Sequence, residues 1–207
     1  MDSVGEKEEM VGIPKVINYL SSVLQRVSES NDQEDRMMNN GTKRNNYSGF
    51  DGISRPSISI QSYLERIFKY ANCSPSCFVV AYVYLHRFLH NHHPSNFHID
   101  SFNVHRLLIT SVLVSAKFFD DLYYNNAYYA KVGGISTMEM NLLELDFLFG
   151  LRFQLNVSPN TFHIYCSYLQ SEMLLTTQPK LQIQTPIKQL HSFTEDQDAS
   201  LQKQLTV

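Results

Sequence analysis

Tryptophan is absent from the 207-residue chain, and cysteine occurs only three times. So few cysteines, and an odd number of them, do not suit a disulfide-stabilised scaffold, so we expect a reduced intracellular protein. Long apolar runs are also missing, since none approaches the roughly 20 residues of a membrane-spanning helix. The first ten residues are acidic and polar, which predicts no signal peptide.

Strong net charge is lacking too. The formal charge is −3, and the lysines and arginines between residues 57 and 175 are matched by a similar number of acids. A protein that binds the phosphate backbone of a nucleic acid would present a basic face. We therefore expect neither nucleic acid nor a membrane as a partner.

Apolar residues make up 43% of the chain, enough for a sizeable core, and their spacing is helical throughout. An amphipathic N-terminal helix is predicted over residues 13–28. Five further helices are predicted over residues 57–73, 75–90, 100–119, 136–149 and 158–174. No window alternates with period two for long enough to predict a sheet. The fold class is therefore all-α.

Polar segments separate these helices and flank them. Residues 1–12 and 176–207 are predicted to be disordered tails, and residues 29–56 a flexible linker. Residues 120–134 contain four tyrosines and end in Gly133-Gly134, which predicts a packed loop. Two helix starts are marked by serine followed by proline, at Ser74 and Ser158, and Ser136 stands in capping-box spacing with Glu139.

Two ionisable residues interrupt apolar helical runs, Lys117 in the run from 107 to 119 and Glu144 in the run from 138 to 149. An unpaired charge in such surroundings costs several kcal/mol. Either the two residues satisfy each other, or a partner satisfies them. Considered alone, Lys117 could also be a helix-end lysine that interacts with the helix C-terminus.

Specific segments resemble the cyclins. Ala116-Lys117-Phe118, Glu144, and Phe153-Gln-Leu155 resemble the kinase-binding signature of that family. The tyrosine-rich run 117–134 and the N-terminal segment 14–26 resemble the plant P-type, or U-type, cyclins, which are similar to the phosphate-signalling cyclins of yeast. The resemblance implies one five-helix cyclin box over residues 57–175, with an extra N-terminal helix and flexible tails.

The resemblance also implies a function. A cyclin of this kind would bind and activate a cyclin-dependent kinase, A-type with a PSTAIRE-like helix, in the nucleus and cytoplasm, in control of cell division or of phosphate supply. Lys117 would donate to kinase carbonyls and Glu144 would accept from kinase N–H groups. Four residues would surround them, the first three as apolar contacts and the last as a polar rim contact: Val114, Leu148, Phe153 and Asp120.

Other functions remain open at this stage. A cyclin-like fold can also serve as a scaffold that binds a transcription factor or a peptide. An enzyme has no support, because the chain shows no nucleophile–base spacing and no phosphate-binding loop. We expect no cofactor and no metal, although His86, His90, His92, His93 and His98 are closely spaced. The cyclin docking patch for substrate motifs is in doubt, because it uses a tryptophan.

Overall fold

The computed structural model describes residues 13–38, 48–92 and 97–176. These residues form seven helices and no strand, which confirms the all-α class. The helices are α1 Lys15–Met38, α2 Ile60–Ala71, α3 Pro75–Asn91, α4 Val104–Phe119, α5 Asn126–Gly133, α6 Thr137–Gly150 and α7 Pro159–Thr176. One compact unit ends at Met173, and the structure describes only residues 174–176 of a second unit, 174–207. The predicted tail 1–12, residues 39–47 of the predicted linker and all of the predicted tail 176–207 except residue 176, which is helical, lie outside the described residues.

Helix α4 occupies the centre of the box. Apart from Arg106, all its residues from Val104 to Ala116 are buried, and α2, α3, α5 and α6 pack around it. Its buried hydroxyls are satisfied internally. Thr110 Oγ1 donates to the carbonyl of Arg106 at 2.7 Å, and Ser115 Oγ donates to the carbonyl of Cys77 at 2.9 Å. Buried hydroxyls of this kind cost little once they are bonded.

Two of the three predicted serine caps form, at Ser136 and Ser158. The hydroxyl of Ser136 accepts the N–H of Glu139 at 3.1 Å. The Glu139 side chain pairs instead with Arg106 of α4, at 2.7 Å, so only half of the predicted capping box forms. At Ser74 the side chain makes no cap bond to α3 and donates to Asp120 at 2.8 Å.

Helix α1 packs on α2 and α3 through the apolar stripe that the sequence shows. Ile17, Leu20, Val23 and Leu24 are almost completely buried. The helix continues ten residues further than predicted, to Met38. The prediction of a flexible linker is therefore wrong for residues 29–38, which are helical.

Polar side chains hold the second half of α1 against the segment that precedes α4. Asn31 Nδ2 donates to the carbonyl of Ile99 at 2.7 Å, and Asp32 accepts from the backbone N–H and the hydroxyl of Ser101, both at 3.2 Å. Further along the predicted linker, Phe50 is buried between Phe88 and Phe147. Residue 50 therefore belongs to the core and not to a linker.

A short helix lies in the segment that was predicted as a tyrosine-rich loop. Asn125 caps α5 by accepting the N–H of Tyr128 at 3.0 Å, and Gly134 ends the helix with φ of 73°. Tyr129 is fully buried, whereas Tyr123 and Tyr124 are exposed. The prediction of a packed loop is thus wrong for residues 126–133, which are helical.

Gly150, the last residue of α6, lies against α3 where no side chain fits. A Cβ atom there would overlap the ring of Phe88 and lie 2.7 Å from Cε1 of His92. We expect Gly150→Ala to lower the free energy of unfolding by about 1–3 kcal/mol, because the aromatic rings beneath it must move. Urea denaturation measures the change.

The comparison for this variant is Gly134→Ala. A Cβ at residue 134 meets nothing within 4 Å. Gly134→Ala should therefore lower the free energy of unfolding only through the left-handed backbone that alanine must adopt there. Equal stability of Gly150→Ala and the wild-type chain would contradict the close approach of α6 to α3.

Candidate partner-binding site

Lys117 and Glu144 meet at the surface of the box. Lys117 lies in the last turn of α4 and Glu144 in the middle of α6, and Nζ donates to Oε1 at 2.6 Å. The two side chains are 30% and 15% exposed, respectively. Of the two possibilities that the sequence left open, pairing with each other or with a partner, the chain on its own shows the first: Lys117 and Glu144 form an ion pair.

Asn126, the first residue of α5, holds the other oxygen of the same carboxylate. Its Nδ2 donates to Oε2 of Glu144 at 2.6 Å and to Oδ1 of Asn141 at 2.8 Å. Three helices thus converge on Glu144: α4 through Lys117, α5 through Asn126, and α6 itself. Sequence reasoning missed Asn126 because the asparagine pair reads as ordinary turn chemistry.

Helix α6 is apolar on two opposite sides. One side, formed by Met140, Leu143 and Phe147, is buried in the box. The opposite side carries a row of apolar residues spaced three or four apart, each more than half exposed. We call this row the α6 stripe, and it consists of Met138, Leu142, Leu145 and Phe149.

Phe153 extends the α6 stripe beyond the end of the helix. Its ring meets that of Phe149 edge to face, with centroids 5.3 Å apart. The backbone N–H of Phe153 donates to the carbonyl of Leu148 at 3.0 Å, and both Arg152 and Phe153 have positive φ, 51° and 57°. Such a turn is uncommon for non-glycine residues and brings Phe153 back against the helix.

Of the six predicted site residues, four are at least partly exposed at the surface of the box: Lys117, Glu144, Leu148 and Phe153. Phe153 is exposed and Leu148 half-buried. Val114 is a correction: it is 2% exposed and belongs to the core. Because almost every side of α4 is apolar, the pattern of residues does not show which way the Val114 side chain points, and in the structure it points into the core.

Asp120 has a role within the chain. Its carboxylate accepts the backbone N–H of Ser74 at 2.9 Å and the hydroxyl of Ser74 at 2.8 Å, and so ties the end of α4 to the start of α3. Burial alone would raise the pKa of Asp120, but hydrogen bonds from Cys77 and Ser74 hold it below its ordinary value of 3.8. Its predicted role as a rim contact stays a prediction.

This tie makes stability depend on pH. Folding favours the ionised form of Asp120, so this carboxylate contributes to the free energy of unfolding above pH 3.8. That contribution is lost as the pH falls through the lowered pKa of Asp120 in the folded state. Asp120→Asn should therefore be less stable than the wild-type chain at pH 7, and the difference should shrink below pH 3.8. Urea unfolding across a pH series measures it, with Asp121→Asn as the control; a difference independent of pH would contradict the assignment.

The two neighbouring cysteines are unreactive by their surroundings. Burial is the main cause that raises the pKa of both thiols, Cys73 and Cys77, to about 12. The thiolate is the nucleophilic and metal-binding form, and it is scarce at neutral pH when the pKa is so high. These residues are core groups beside Asp120.

The histidines are engaged inside the chain. Nδ1 of His86 lies 2.6 Å from the hydroxyl of Tyr165 on α7, and Nδ1 of His92 lies 2.8 Å from the carbonyl of Phe88. His98 pairs with Asp35 of α1 at 3.1 Å. The sequence suggested no carboxylate beside the histidines, but the fold brings Asp35 and Asp100 near His98, with ligand atoms within 4.8 Å. His93 lies outside the described residues.

The chain is similar to known proteins over most of its length. The cyclin family model matches residues 14–155, which include helices α1 to α6. Cyclin-U4-1 of Arabidopsis thaliana is 63% identical over 201 residues, 97% of this chain and 96% of the relative. Cyclin-P4-1 of Oryza sativa subsp. japonica is 55% identical over 194 residues, 94% of this chain and 88% of the relative.

An all-α box with a Lys–Glu pair at its surface and relatives of this kind define a regulatory protein, not an enzyme. The chain belongs to the cyclin family, among the plant cyclins of the P type, also called U type. In the described part of the chain, no helix has both the length and the apolar character that crossing a membrane requires.

Proposed function

We propose that this cyclin binds and activates a cyclin-dependent serine/threonine kinase, of the A type with a PSTAIRE-like regulatory helix. It acts in the nucleus and cytoplasm, in the control of cell division or of the response to phosphate supply. One observation carries the proposal: the Lys117–Glu144 pair lies at the surface, and the helix that supplies Glu144 also carries the α6 stripe, an apolar row that the box leaves uncovered.

The pair keeps capacity for a partner even while it is closed. An ammonium group has three N–H donors, and each carboxylate oxygen can accept more than one hydrogen bond. With one Lys117 donor committed to Oε1 of Glu144, the remaining donors can reach backbone carbonyls of a kinase. The Glu144 oxygens can likewise accept kinase backbone N–H groups beside their internal bonds.

The α6 stripe supplies the other half of the interaction. Monomeric proteins rarely expose a contiguous row of large apolar residues unless something binds to it. A kinase helix laid along Leu145 and Phe149 would remove water from the pair. Polar bonds are stronger in such a water-excluded site than in solvent.

Activation follows from holding that kinase helix in place. Kinases need a lysine–glutamate pair of their own, with the glutamate on a mobile helix, to align the ATP phosphates. A cyclin that binds the helix through Lys117, Glu144 and the α6 stripe favours the inward position. The cyclin contributes binding energy to this equilibrium and no catalytic group.

Two measurements with the full chain and a purified A-type kinase test the proposal. Size-exclusion chromatography should show a complex, and phosphorylation of a peptide substrate should require the cyclin. Leu145→Glu should weaken binding at least tenfold, because it puts a charge in the middle of the α6 stripe. The matched control, Ile53→Glu, adds the same charge at an exposed apolar residue outside the stripe and should bind normally.

Three outcomes would count against the proposal. The absence of a complex with the wild-type chain would contradict kinase binding. A complex without added kinase activity would favour a scaffold role over activation. Normal binding by Leu145→Glu would place the contact elsewhere on the box.

A further inference from the structure

Asn126 makes a contact whose purpose the fold alone does not explain. It is the first residue of α5, and its side chain reaches across to α6 instead of capping its own helix. The cap is provided by Asn125, whose Oδ1 accepts the N–H of Tyr128 at 3.0 Å. Two adjacent asparagines thus have separate tasks, one within α5 and one towards Glu144.

The carboxamide of Asn126 bridges two acceptors that lie one turn apart on α6. Its two N–H hydrogens are fixed in one plane, and Nδ2 lies 2.8 Å from Oδ1 of Asn141 and 2.6 Å from Oε2 of Glu144. Lys117 holds Oε1 from the other side at 2.6 Å. Both oxygens of the carboxylate are therefore fixed, and the plane of the carboxylate is fixed with them.

Helix α5 does not depend on this bridge for its position. Tyr129, Ala130 and Val132 bury its inner face, and the hydroxyl of Tyr63 donates to the carbonyl of Gly133 at 3.1 Å. The bond from Asn126 to Glu144 is only partly buried, whereas these three side chains are buried. Loss of the amide should therefore leave the helix in place and change the carboxylate.

We infer that Asn126 is a positioning residue for partner binding: it holds Glu144 in the orientation in which the carboxylate accepts backbone N–H groups of the kinase. This inference rests on the proposed function. A glutamate side chain otherwise samples several rotamers, and ordering such a side chain on binding weakens association. Asn126 removes that cost before the partner arrives.

Isothermal titration of the full chain with the purified kinase tests the inference. Asn126→Ala should raise the Kd about three- to tenfold, the effect of leaving one long side chain to be ordered on binding. The matched control is Asn125→Ala, which removes the cap of the same helix and no bond to Glu144. It should leave the Kd within about twofold of the wild-type value, because the buried face still holds α5.

The variant Asn126→Asp gives a readout that a purely structural role would not give. It places a second carboxylate beside Oε2 of Glu144, and the charges that face this position are Glu144 from α6 and Lys117 from α4. Two carboxylates at hydrogen-bond distance favour retention of a shared proton. Relative to the wild-type chain at the same pH, its Kd should be raised at about pH 8 and approach the wild-type value near about pH 5.

The possible outcomes separate the two claims. If the wild-type chain does not bind the kinase, the proposed function fails. If the wild type binds and Glu144→Ala binds equally well, the contact lies elsewhere on the box and the positioning role fails. If the wild type binds, Glu144→Ala does not, and Asn126→Ala has an unchanged Kd, only the positioning role fails. An equal loss in Asn126→Ala and Asn125→Ala, or a defect of Asn126→Asp that does not vary with pH, would also overturn it.

Discussion

Replacing Glu144 by alanine will weaken kinase binding by about 2–5 kcal/mol, about 30-fold to several thousandfold, and will leave the box folded. The variant removes the acceptor of the interface and also leaves Lys117 without its internal partner. A charge stranded at a contact from which water is excluded is the larger part of that cost. Lys117→Ala should have an effect of similar size, since it strands the carboxylate instead.

The matched control is Glu139→Ala. Like Glu144, Glu139 lies on α6 and forms an ion pair with a basic residue of α4, here Arg106 at 2.7 Å. It lies beside Met138 of the α6 stripe but bonds to neither Lys117 nor Glu144, so its loss should cost at most about 1 kcal/mol of stability and leave the affinity close to the wild-type value. Circular dichroism and titration with the kinase are the two measurements. Retained binding by Glu144→Ala would contradict the proposed contact, and lost helicity would make the pair structural.

Removal of α1 is expected to unfold the box. The four apolar residues that α1 buries contribute about 6–12 kcal/mol, at roughly 1.5–3 kcal/mol each. A domain of this kind has a total stability of only about 5–15 kcal/mol. A chain that lacks residues 1–38 should therefore show no cooperative thermal transition in circular dichroism.

A milder variant separates stability from binding. Leu20→Ala should lower the free energy of unfolding by about 2–5 kcal/mol and leave the kinase affinity unchanged, because Leu20 is buried on α1, a helix that packs on α2 and α3 and carries no part of the proposed contact. Met37→Ala, at a position 80% exposed on the same helix, is the control. An unchanged melting temperature for Leu20→Ala would contradict the docking of α1.

The sequence predicts α1 only where its stripe is apolar. Val23 and Leu24 belong to a regular pattern, whereas residues 29–36 are polar and contain residues that favour turns. That second half is helical because Asn31, Asp32 and Asp35 bond to residues 98–101. The bonds join positions nearly 70 residues apart, and no local pattern in the sequence reports them.

The site shows the same limit in another form. Lys117 and Glu144 stand out in the sequence because each is a charge in an apolar run, and they do meet. Val114 could not be placed because α4 is buried on almost every side. The α6 stripe was missed because α6 is apolar on two opposite faces. Only the packing of the box decides which of these faces is buried and which stays exposed.

The attachment of α1 also sets an order for folding. Its first half packs on α2 and α3, and its second half bonds to residues that precede α4. Most of the stability of a helix in a protein comes from the packing of its amphipathic face and not from helix propensity. During synthesis α1 is made before the helices on which it packs, and its bonds to Ser101 can form only after residue 101 has followed. Of the described helices, α1 is therefore made first but held in place only once α2, α3 and residues 98–101 have been added.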